Sequence, residues 1–322
     1  MKRLFFLVFL FFITLLFSQN KNIQKFKTTY KDTQVDYIVI TKMGDEKIKK
    51  PIFFFCQGSL TRPLKILSDD ASFPILPFNE ELLLDKYHLV MISKPGIPIE
   101  VHEKELKRDY TYPKEGLPDK EYIYNNNLDY YYKRNNFILK KLFKENWVEV
   151  KNTVVAGHSE GSYIALEMAV NNKKISRLIY SGGNPLGRMM SIISQTRQNP
   201  KEKENWNNKN LNFWAETIRN KDKKELDREN TSYYNYSLSK NFVYDLLSLK
   251  IPILVTYGTK DQNGLFNDYL NVLTIREGKT NFTFKPYFNC DHNFFPIDEN
   301  MKINYEVDNW SKVGKLWSEW SK

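Results

Sequence analysis

Cysteine is nearly absent, with Cys56 and Cys290 the only two in a chain of 322 residues. That excludes a small fold stapled by several disulfides. With only four histidines and no Cys/His cluster at zinc spacing, it also leaves no metal site to expect, and no cofactor is anticipated. An internal repeat and a long flexible linker are likewise missing. The longest uncharged apolar run, residues 4–17, is 14 residues long, short of the roughly 20 that a bilayer span requires. Acidic residues are only mildly outnumbered, 38 against 48 Lys and Arg. The lysines are interleaved with glutamates, as at 201–204 and 221–228. This is the pattern of a solvated surface, and no nucleic-acid partner is expected.

What the chain does contain is the pentapeptide Gly157-His158-Ser159-Glu160-Gly161, entered from an apolar run at 153–156 and left by a helical pattern that puts Ile164, Ala165, Met168 and Ala169 on one face. A serine hydroxyl becomes a nucleophile only when held near a base, and a sharp strand-to-helix turn exposes it. Glycines two residues to either side remove the side chains that such a turn would crush. The reading is therefore a nucleophile elbow: Ser159 flanked by Gly157 and Gly161.

A base must come from His88, His102, His158 or His292. His158 adjoins the serine and is expected to point elsewhere. His88 begins a buried strand, and His102 lies among Glu100, Glu103 and Glu105. His292 remains, in a loop after the last strand read from the pattern, 281–289. A carboxylate should then orient the imidazole. Asp261 lies three residues past Gly258, at the end of the apolar strand beginning at Ile251. Its rivals are Asp268, farther along in a helix, and Asp291, which adjoins the histidine and reaches its ring poorly.

Serine, acid and histidine in that order, each at a strand end, resemble the α/β-hydrolase superfamily over nearly the whole chain after residue 20. The resemblance implies an α/β fold, a mostly parallel central sheet flanked by helices, with Ser159 as nucleophile, Asp261 as acid and His292 as base. It also implies an oxyanion hole made by the backbone N–H groups of Glu160 and Ser59, although this chain has Gln57-Gly58 where many relatives carry histidine followed by glycine. The polar, helical stretch 184–249 lies where such folds commonly insert a cap. Its aromatics, among them Trp206, Phe213, Trp214, Tyr233, Tyr234 and Tyr236, either line a pocket or pack the cap on the body. The proline-bearing stretch 95–127 reads as an excursion near the mouth of the site. Cys56 and Cys290 approach the same end of the sheet in this arrangement; two separate buried thiols are the expectation, a disulfide the alternative.

The remaining organisation is one α/β domain, 19–322. Lys2 and Arg3 precede the apolar run and a polar Ser18-Gln19-Asn20, the form of a secretory signal ending at 18. Its removal takes two positive charges and leaves +8 from +10. A secreted or periplasmic protein without stable membrane insertion is expected, a membrane anchor through 4–17 being the alternative. With no propeller-type domain to restrict access, the substrate expected is a small ester cleaved through an acyl-enzyme. A peptidase or amidase acting on short peptides, an acyltransferase, or a binding protein on the same fold are the alternatives.

Overall fold

The computed structural model describes residues 20–198, 206–227, 230–300 and 302–322; the signal-like segment 1–18 lies outside them. Eight strands form one sheet: β1 (Lys21–Tyr30), β2 (Thr33–Lys42), β3 (Lys50–Cys56), β4 (His88–Ile92), β5 (Val148–His158), β6 (Ile175–Ser181), β7 (Ile253–Gly258) and β8 (Phe282–Tyr287). Their order is β1-β2-β4-β3-β5-β6-β7-β8. β2 runs antiparallel to both β1 and β4, and every pairing from β4 to β8 is parallel.

The central strands are continuous apolar runs because both of their faces are covered. Alternation along the strand divides them: Ile52, Phe54, Cys56 and Val155 join one core, with helices α1 (Leu128–Leu142) and α2 (Glu160–Val170). Phe53, Phe55, Val154 and Ala156 join the other, with α7 (Trp310–Trp320). Trp310, Val313 and Trp317 recur at helical spacing and are buried in that second core.

The apolar spacing after Asp129, with Tyr131, Ile138 and Leu142 on one side, predicts a helix to Trp147, whereas α1 stops at Leu142, five residues earlier. Lys144, Glu145 and Val148 close turns onto Lys141, Leu142 and Glu145, and those turns lead the chain into β5. The stretch 95–127 is not purely a loop. Its Glu100–His102 pairs with Lys65–Leu67, which also pairs with Ser72–Pro74, in a separate three-stranded sheet.

Between β6 and β7 lie α3 (Arg188–Gln198), α4 (Trp206–Arg219), a short ladder of Leu226–Asp227 on Asn230–Thr231, α5 (Ser232–Ser237) and α6 (Val243–Ser248). Helix α5 docks on the start of α1. Tyr233 donates its hydroxyl to Asp129 at 2.9 Å, and Ser237 Oγ accepts from the Leu128 N–H at 3.2 Å. Among the described residues no helix is long and apolar enough to cross a membrane.

Candidate active site

Parallel register aligns the carboxyl ends of five strands. Cys56 pairs with Gly157, His158 with Ser181, Ser181 with Thr256, and Gly258 with Tyr287. Loops leaving one such edge form the crevice where open α/β sheets bind ligands. The triad and oxyanion candidates all follow carboxyl ends of these strands: Ser59 after β3, Ser159 after β5 with Glu160 opening α2, Asp261 after β7 and His292 after β8, while Gly157 lies in β5 and Gly161 in α2.

Ser159 occupies the turn from β5 into α2 with φ 58° and ψ −126°. A residue bearing a Cβ adopts this conformation only when its surroundings impose it, at a cost on the order of 1–3 kcal/mol. Its flanks are buried, while Ser159 itself is partly exposed. The two glycines answer to close backbone approach. A Cβ at Gly157 would lie 2.0 Å from the Gly161 carbonyl oxygen, and one at Gly161 would lie 2.1 Å from that of Cys56. Gly161→Ala is therefore expected to destabilise the fold by about 3 kcal/mol, since backbone cannot step aside as a side chain can. A chemical denaturation midpoint unchanged from wild type would refute this packing.

His292 Nδ1 lies 2.8 Å from Asp261 Oδ2, and as the partner of a carboxylate this nitrogen carries the proton. The Asp261 side chain is wholly buried and that of His292 is 21% exposed. The other carboxylate oxygen, Oδ1, accepts the Asn263 N–H at 2.9 Å. Asn263 in turn donates to the Gly182 carbonyl at 2.9 Å, which ties the acid loop to the end of β6. Burial pulls the His292 imidazole down, but Asp261, through charge and hydrogen bond, and Asp291 outweigh it and leave the pKa raised above 6.5.

The rival carboxylates are engaged elsewhere. Asp268 accepts from the Tyr257 hydroxyl at 2.5 Å, and Asp291 accepts the N–H groups of Asn293 and Phe295 at 2.9 and 2.8 Å.

Ser159 and His292 each neighbour the end of β6. The Ser159 N–H donates to Ser181 O at 2.9 Å, and a Cβ on the next residue, Gly182, would lie 3.2 Å from His292 Cε1. On the far side, Gly58 faces the elbow, its Cβ direction 3.8 Å from Ser159 Cβ. Ser59 is exposed beside it.

The other histidines are held structurally. His88 is buried between Thr41 Oγ1 and the Ile48 carbonyl, and His102 contacts Asp69. His158 stays beside the site: its ring packs 4.9 Å from that of His292 and edge-on to Trp310, with Nδ1 2.9 Å from Ser181 Oγ. Burial, then the neighbouring His292, holds it well below its ordinary pKa, so it is neutral. Cys56 and Cys290 are both buried and free.

Sequence reasoning did not single out Asn263, Lys94 or the packing of His158. Asn263 lies two residues after Asp261, a spacing at which an aspartate commonly caps the backbone N–H; nothing local marks the other two.

No family model matches the chain, and no curated relative matches it in sequence. Solved structures do match. The acylaminoacyl peptidase of Pyrococcus horikoshii superimposes with a TM-score of 0.57 at 15% identity, over 94% of this chain and 41% of that one. This chain thus spans well under half of the peptidase's length. Est1E from Butyrivibrio proteoclasticus gives 0.52 at 12% identity, over 92% of this chain and 98% of its own. A structure from a study of two fungal esterases of Rhizomucor miehei gives 0.54 at 11% identity, over 94% and 83%. With a mostly parallel sheet in the order 1-2-4-3-5-6-7-8, an elbow after the fifth strand and these likenesses along nearly its whole described length, the chain has the α/β-hydrolase fold.

Proposed function

We propose that this protein is a serine hydrolase that cleaves a carboxylic ester by two-step acyl transfer. Ser159 is the nucleophile, His292 the general base and Asp261 the residue that orients the imidazole. The observation that carries the reading is the strained backbone of Ser159 at the β5–α2 turn, on the same sheet edge as a histidine whose Nδ1 is committed to a buried carboxylate. Strain of this kind at a single partly exposed serine is what an exposed nucleophile requires.

In the first step the Ser159 Oγ–H proton passes to His292 Nε2 as Oγ bonds to the substrate carbonyl carbon. The resulting oxyanion is received by the N–H of Glu160 and a second N–H from the Gln57–Ser59 loop, that of Ser59 in this reading. Collapse expels the alcohol, protonated by His292. Water, deprotonated by the same imidazole, then releases the acid and regenerates Ser159. The positive Lys2-Arg3 start and the apolar run after it support an exported enzyme. The segment between β6 and β7, docked on α1 through Tyr233 and Ser237, is read as its cap.

Two measurements test this. A series of p-nitrophenyl esters, acetate through palmitate, is expected to be hydrolysed with an optimum that sizes the acyl pocket. Failure on every ester by demonstrably folded protein would sink the ester reading. The pH dependence of kcat/KM is expected to rise with loss of one proton, from His292, at a midpoint above the 6.5 of an ordinary imidazole, since only the neutral ring can accept the serine proton. His158, held well below its ordinary pKa by burial and by His292, is expected to add no second step near this midpoint. A midpoint below 6.5 would contradict the assigned base.

A further inference from the structure

The Glu160 side chain belongs to no step above, yet it is the most heavily engaged group at the elbow. It begins α2, and its N–H is the oxyanion donor in the proposed reaction. Its carboxylate is 4% exposed and held from two sides. Lys94 Nζ, on the loop after β4, lies 2.9 Å from Oε1, and the Tyr234 hydroxyl, on α5, donates to Oε2 at 2.6 Å.

Lys94 and Tyr234 are themselves 4% and 2% exposed. Lys94 Nζ also sits 4.9 Å over the Tyr131 ring. Burial, followed by the Glu160 charge, pushes the Tyr234 phenol well above its ordinary range and keeps it a donor. Three parts of the chain thus close on one carboxylate: the β4 loop, the elbow and the segment between β6 and β7.

We propose that Lys94 and Tyr234 are positioning residues of the reaction, which hold Glu160 so that its peptide N–H faces the developing oxyanion, and that Tyr234 makes this alignment depend on α5 being seated on the body. The inference rests on the serine-hydrolase reading. A buried carboxylate with two good partners fixes the first residue of α2 in position and rotation, and the N–H of that residue is fixed with it. Lifting α5 away breaks the Tyr234 bond and releases one side of the clamp. An oxyanion donor acts only on the transition state, so its misalignment lowers kcat and leaves ground-state binding alone.

The test is a cycle of Tyr234→Phe, Glu160→Gln and the double variant, with kcat and KM for p-nitrophenyl acetate and the Tm of each protein, alongside wild type and Ser159→Ala. Both single changes preserve shape. Tyr234→Phe is expected to lower kcat at least about tenfold at a KM within about twofold of wild type. The double variant is expected to lose about as much as the worse single one, because both remove the same alignment. An unchanged kcat in folded Tyr234→Phe overturns the inference. So does a raised KM at constant kcat, which marks a substrate contact, or a double loss equal to the product of the singles. If wild-type activity does not depend on Ser159, the serine-hydrolase reading fails and this inference with it. Ser159-dependent activity indifferent to Tyr234 sinks the clamp alone.

Discussion

Replacing Ser159 by alanine is expected to lower ester hydrolysis by about 10⁴-fold or more, because every covalent step passes through its Oγ and the oxyanion donors alone retain only a small residue of the catalysis. Stability should move the other way in a companion variant. The φ of 58° and ψ of −126° at this position suit glycine and penalise any residue with a Cβ. Ser159→Gly is therefore expected to raise stability by about 1 kcal/mol while abolishing activity, a trade typical of strain kept at a functional site. Thermal unfolding of the two variants beside wild type measures this. A glycine variant less stable than wild type would mean that the turn is relaxed and that its conformation carries no argument for function.

Asp261→Asn is expected to cost about 10⁴-fold in kcat with little change in KM, through the tautomer of His292. The two Asp261 oxygens have separate duties, Oδ2 toward His292 Nδ1 and Oδ1 toward the Asn263 N–H. An amide in the same place keeps its oxygen on the Asn263 N–H and turns its NH₂ toward the imidazole. Nδ1 must then accept, the ring proton moves to Nε2, and Nε2 can no longer take the proton of Ser159. The charge and hydrogen bond of Asp261 that raise His292 vanish together, so the acid limb of the pH profile should also move down. A variant that loses rate with its acid limb in place would show that Asp261 acts on something other than the imidazole. Full activity in Asp261→Asn would return Asp291 or Asp268 to consideration.

The fold was legible because the central strands are buried on both faces and are written as unbroken apolar runs, Ile52 to Cys56 and Ile253 to Val255 among them, each ended by a glycine turn or the elbow. Helix ends were less so. The apolar spacing of α1 continues past Leu142, and only the turns at Lys144 to Val148 show where the backbone departs. The three-residue strands at Lys65–Leu67, Ser72–Pro74 and Glu100–His102 are too short for any periodicity to register.

At the site, the order of Ser159, Asp261 and His292 was visible along the chain, because each follows its own strand. Which carboxylate meets the His292 ring is decided by the reach of a side chain in three dimensions, 31 residues apart in sequence. The clamp on Glu160 was not legible at all. Lys94 and Tyr234 lie 66 and 74 residues from it, and nothing in the local composition of either marks a buried partner. Adjacency to Ser159 argues that His158 points elsewhere than the serine, but it does not reveal that the His158 ring packs against His292, Phe294 and Trp310.

The most direct test of Ser159 as nucleophile is covalent. The protein, and its Ser159→Ala variant, would be treated with a fluorophosphonate at neutral pH and the adduct located by peptide mass spectrometry. A single phosphonylated residue, Ser159, with no adduct on the alanine variant, is the predicted result. Folded wild-type protein that takes up no label, or an alanine variant labelled as fast as wild type, would contradict it.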